Sequence, residues 1–121
     1  YKIPYLYSLT DHLAALVRCG DVACQAVVPG HGPLLEGISP IRDRNLALAL
    51  DVIDRLLGFA ASPSTAEELL RRLLSHYGAE VGDAPGFYLL QPTVYAFLSH
   101  LQREGRVEHE VEAGRSLWRA V

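Results

Sequence analysis

The turn Pro29-Gly30-His31-Gly32-Pro33 constrains this chain more than any other feature. It follows Cys24-Gln25-Ala26-Val27-Val28, a short apolar run that suits a buried strand delivering the chain into a loop. Glycine on either side of the histidine lets the backbone turn tightly and leaves room beside the imidazole, while the two prolines stiffen the approach. Such a turn can aim one imidazole nitrogen at a fixed point beyond a strand end, as a metal ligand requires. The five residues alone read first as a stiff surface loop that happens to hold a histidine.

The segments around the turn predict an α/β unit followed by a mainly helical one. Leu6, Leu9, Leu13, Leu16 and Val17 fall at helical spacing, with Asp11, His12 and Arg18 opposite and Gly20 as the stop. One helix and one strand cannot bury their apolar faces alone, so residues 1–38 read as the last unit of a larger layered domain. Ser39-Pro40 offers an N-cap and first turn for a long connector helix over 39–60, with Leu46, Ala49, Leu50, Ile53, Leu56 and Leu57 as its stripe. Residues 61–121 form the third part. Ser64-Thr65-Ala66-Glu67-Glu68 has capping-box spacing, and Leu69, Leu70, Leu73, Leu74 and Tyr77 follow at helical period. A loop from Gly78 to Gly86 precedes Phe87, Tyr88 and a helix opened by Pro92-Thr93, with Val94, Phe97, Leu98 and Leu101 inside. Val107–Val111, the turn Ala113-Gly114 and Ser116–Val121 predict a hairpin, closed by Leu117 and Trp118. Helices followed by a C-terminal hairpin are the order of a winged-helix unit.

Composition excludes several classes. No apolar run reaches the ~20 residues that span a bilayer, and a net charge of −3 does not favour nucleic acid or anionic lipid. The second helix of the tail offers only Arg103, with His100 and Gln102, while the wing carries Glu108, Glu110 and Glu112, so DNA binding is not expected. Arg115 and Arg119 offset these only in part, and Arg71, Arg72, Arg42 and Arg44 read as solvated helix faces. Cys19 and Cys24 are two thiols without a disulfide framework, as in a reduced cytoplasmic protein. The chain contains no methionine, and an N-terminal portion is expected to precede it.

The run Tyr5-Leu6-Tyr7-Ser8-Leu9-Thr10-Asp11-His12-Leu13, the Pro-Gly-His-Gly-Pro turn and Pro92-Thr93-Val94-Tyr95-Ala96-Phe97-Leu98 occur in a telling order. Together they resemble the C-terminal portion of the metallo-β-lactamase-fold superfamily, and most of all its members with an appended winged-helix domain. The resemblance implies an αββα catalytic domain ending near residue 38, a connector helix and a winged-helix-like tail. It further implies that His31 is the last ligand of a two-metal, usually zinc, site that hydrolyses a thioester, ester or phosphodiester. The His-x-His-x-Asp-His run, a further histidine and the bridging aspartate of that pattern have no match here, and His12, His76, His100 and His109 are scattered. One histidine cannot assemble a zinc site, so the chain alone should not catalyse the reaction.

The resemblance leads to these expected partners: the missing N-terminal catalytic portion, a small-molecule or phosphodiester substrate of the parent, and a second copy. The rival reading is a non-enzymatic winged-helix module for protein or nucleic-acid interaction, in which 1–38 packs tightly on 61–121. Without neighbours, segment 1–38 should expose Leu9, Leu13, Leu16 and Val27 and be ordered only where something covers it.

Overall fold

The structure, a computed structural model, describes residues 3–121; Tyr1 and Lys2, the start of the expected lead-in, lie outside them. Four helices precede one antiparallel hairpin: α1 (Leu9–Cys19), α2 (Ser39–Phe59), α3 (Ala66–Tyr77), α4 (Ala84–Arg103), β1 (Val107–Glu112) and β2 (Arg115–Ala120). Their starts follow local chemistry. The Ser8 side chain accepts from the Asp11 amide and caps α1. At α3 the box closes on Thr65: the Glu68 amide donates to Thr65 Oγ1 at 3.2 Å, and the Thr65 amide donates to Glu68 Oε2 at 2.7 Å. The hydrogen bond from the Thr65 amide is the largest cause that holds the Glu68 carboxyl below its ordinary range, helped by the Thr65 hydroxyl and the Arg115 and Arg72 charges against desolvation. Ser64, the other candidate cap, instead donates its hydroxyl to the Ser62 carbonyl.

One hydrophobic core joins all four helices to the hairpin. Leu9 of α1 shares it with Val52, Ile53 and Leu56 of α2, Leu69, Leu70 and Leu73 of α3, and Val94, Phe97, Leu98 and Leu101 of α4, with Val107 and Trp118 closing one side. Leu117 is buried as well, outside that cluster. β1 pairs with β2 in the register Val107↔Ala120 to Glu112↔Arg115, through a turn in which Ala113 and Gly114 have φ of 49° and 76°. β2 is bonded on its other edge too: Trp118 and Ser64 exchange both main-chain hydrogen bonds, at 2.8 and 3.0 Å, and the Ala120 amide donates to the Ala60 carbonyl.

Several expectations need correction. The strand expected over 24–28 shrinks to one bridge, Val27 with Leu35, because no neighbouring strand among the described residues extends it. Pro92 does not open a helix. It lies inside α4, which starts at Ala84 behind the Asp83 cap, so Phe87 and Tyr88 are helical rather than in a loop. The cap of α2 is Ile38, and Ser39 is already helical. In the stripe of α2, Leu50 is exposed and Val52 takes the core position.

Leu9, expected to be bare, is fully buried, because the lead-in is tied to α4. Thr93 Oγ1 accepts from the Leu6 amide and donates to the Pro4 carbonyl, both at 3.0 Å. Leu13 packs partly buried against the same core, and Leu16 and Val27 are half-buried. Among the described residues of this segment, the exposed large hydrophobics are instead the aliphatic Val17, Val22, Val28 and Leu34, with Tyr5 and Tyr7. Arg72 is no solvated arginine, since its guanidinium donates to the Phe59 carbonyl at 2.8 Å.

Candidate functional site

His31 sits at the middle of a loop closed by main-chain bonds. The Val27 amide donates to the Leu35 carbonyl at 2.8 Å, and the Leu35 amide donates back at 3.0 Å. His31 is midway between the two bridged residues, with glycine and proline in mirror order on each arm. Gly32 has φ of +105°, a backbone state that side chains with a Cβ strongly disfavour. The imidazole is exposed, and no hydrogen bond or ion pair to it occurs among the described residues. The loop thus presents one unencumbered imidazole on a short closed frame.

The surface around this frame is apolar. Cys19, Val22, Cys24, Ala26, Val27, Val28 and Ile38 line a groove of about 310 Å³. Cys19 and Cys24 are both free thiols. On the other side of the bridge, Leu35, Glu36, Pro40, Ile41 and Arg44 line a smaller groove of about 180 Å³. Arg42 is turned to Asp43, its Nε donating to the carboxylate at 2.9 Å.

The other histidines do not come to His31. His12, placed on the polar side of α1 by its spacing, has a buried Nε2 without a hydrogen-bond partner, and burial lowers its pKa. His76 packs edge-on against Tyr77. His109 bonds Ser116 Oγ at 2.7 Å and lies over Trp118. His100 meets Thr10 Oγ1 at 2.8 Å and Glu104 at 3.4 Å, while Arg103 donates to the same threonine hydroxyl at 3.2 Å.

This network pins the first turn of α1 to the end of α4. Sequence reasoning missed it; the only signal was His100, Arg103 and Glu104 at neighbouring helical positions, with nothing to name Thr10 as their target. It also occupies Arg103, the arginine that the second helix of the tail offered to DNA. On the hairpin, Glu108 pairs with Arg119, while Glu110 and Glu112 remain exposed.

Zinc takes about three or four protein ligands. Among the described residues, no three His, Cys, Asp or Glu side chains come together to hold a metal ion. The residues present do not fit a metal site, and His31 can be at most one ligand of a site completed elsewhere.

No protein-family profile matches the sequence, and no curated protein matches it significantly. Solved structures do. A beta-lactamase domain protein from Burkholderia ambifaria superposes over 93% of this chain with a TM-score of 0.84 at 18% identity. A metallo-beta-lactamase family protein from Thermus thermophilus covers 92% with a TM-score of 0.73 at 22% identity. The chain spans 33% of the length of each. A match of that extent is consistent with a C-terminal fragment of that fold. The chain therefore has the fold of about a third of a metallo-β-lactamase domain protein.

Proposed function

We propose that this chain is the C-terminal part of a metal-dependent, dinuclear zinc hydrolase of metallo-β-lactamase fold, and that His31 supplies one ligand to a site completed by residues upstream. The placement of His31 carries the reading: an exposed imidazole at the middle of a bridge-closed loop, beside the uncovered apolar groove of Cys19 to Ile38. That groove and Val17, Val22, Val28 and Leu34 are where the missing catalytic portion would pack. The substrate class is a thioester, ester or phosphodiester rather than a β-lactam, by resemblance to relatives with this kind of tail. Free thiols suit a reducing, cytoplasmic setting.

Residues 61–121 are read as a winged-helix-like domain. The order α2, the bridge at Ser64, α3, α4, β1 and β2, with β2 bonded on both edges, supports this. The same observation favours the second reading, a non-enzymatic winged-helix module, as does the packing of Leu9 and the lead-in on α4. The bare stretch around His31 speaks for the hydrolase.

The test is metal content. The intact protein should purify with transition metal measurable by plasma mass spectrometry, and His31→Ala should lose one of two ions and most hydrolysis, with unfolding by circular dichroism unchanged. Metal-free protein, or His31→Ala with full metal, overturns the reading.

A further inference from the structure

Gly20 ends α1, yet its backbone does not explain why it is glycine. Its φ of −65° and ψ of −23° are ordinary right-handed values that any residue adopts. Gly78 after α3 and Gly105 after α4, by contrast, have φ of 59° and 70°. What excludes a side chain at Gly20 is space. A Cβ there would fall against Nη1 of Arg42, with Cζ of the same guanidinium 3.4 Å away.

Arg42 is aimed at this spot from its other edge. Nε and Nη2 both point to Oδ1 of Asp43, at 2.9 and 2.8 Å, which leaves Nη1 on the opposite side, over Gly20. Leu16, Val17, Arg42, Asp43 and Leu46 line one groove along the seam between the end of α1 and the first turns of α2. The arginine expected on a solvated helix face is therefore half-buried against the end of the neighbouring helix. Its charge there faces the negative pole of the α1 dipole.

We propose that Arg42 is a positioning residue: seated on Gly20, it clamps the base of the loop 20–38 and so fixes how His31 is presented. The closures are concentric. Gly20 and Arg42 lie equally far along the chain from His31, as Val27 and Leu35 do inside them. Holding the outer pair together removes part of the closure entropy that the inner bridge would otherwise have to overcome. The clamp matters because residues 20–37 lend no side chain to the buried core, so contacts at the base must anchor them. Both partners belong to this chain, whatever covers the loop from outside. The importance of His31 rests on the hydrolase reading, whereas the clamp does not.

Hydrogen exchange followed by mass spectrometry on the full chain tests the clamp. In Arg42→Ala, peptides spanning Val27 and Leu35 should exchange about fivefold or more faster, while those of α3 and α4 keep their wild-type rates. Gly20→Ala should do the same, by unseating the guanidinium. The two changes together should be no faster than Arg42→Ala alone, because without the guanidinium an alanine suits the backbone at position 20. Two independent effects on helix stability would instead add. Unchanged exchange at 27–35 in Arg42→Ala overturns the proposal; so do additive effects in the double variant, or an acceleration spread equally over α3 and α4. Metal content and hydrolysis are not read, so the clamp can fail while the hydrolase reading stands, and the reverse.

Discussion

At the scale of single residues, His12 carries a consequence its neighbours do not. Its Nε2 is buried without a partner, and desolvation holds its pKa below the ordinary 6.5. A histidine of lowered folded pKa is neutral in the folded chain while the unfolded chain still takes up its proton. Stability conferred by the neutral form is therefore present above pH 6.5 and declines as pH falls from there toward the folded pKa. The melting temperature should drop between about pH 7 and pH 5. His12→Leu should flatten that drop, and an equal slope in the variant would show that other groups carry it. Nothing in the spacing of α1 exposed this role: Leu9 and Leu13 mark the buried stripe, and a histidine between them could face either way until α2 and α4 are in place.

The elements were legible where local chemistry decides and obscure where packing does. The Thr65–Glu68 box, the left-handed Gly78 after α3 and the Ala113-Gly114 turn all sit where their residue types demand. Pro92 misled, because proline favours a first turn; here α4 continues through it, anchored by Thr93 to the lead-in. The strand before His31 misled for the opposite reason. Its apolar run is strand-like, but a strand exists only with a neighbour, and the described residues supply one at a single position.

The hairpin turn itself has slack. Ala113, at φ of 49°, is a non-glycine residue in the left-handed region, and with Gly114 it forms the mirror-type turn that prefers Asn-Gly. Ala113→Asn should stabilise the chain by about 0.5–1 kcal/mol in urea unfolding. No gain would mean that the hairpin is already loose in the folded state.

On the scale of the whole molecule, the two ends of the surface behave differently. One cluster of buried side chains takes in Ile3 and Leu9 together with residues of α2, α3, α4 and the hairpin, so α1 packs on the helices that follow it. Residues 20–37 stay outside that core. Val22, Val28 and Leu34, each more than half exposed, form the surface that the remainder of the hydrolase is proposed to cover. In the 121-residue chain alone that surface should bind hydrophobic dyes and drive concentration-dependent aggregation. Replacing all three with serine should reduce dye fluorescence and light scattering while leaving the melting temperature nearly unchanged. An unaltered dye signal would place the sticky surface elsewhere. The Pro-Gly-His-Gly-Pro order marked the loop that the Val27–Leu35 bridge closes, because its glycines and prolines are turn residues.

The bridge between Val27 and Leu35 has a last implication, for insertions and deletions. Both arms of the loop are tied at equal distances from His31 by main-chain atoms, so side-chain identity matters little there apart from Gly32. Arm length matters far more. One added residue on either arm lengthens the loop on that side of the bridge and carries the imidazole off centre. Such a loop tolerates respelling but not resizing.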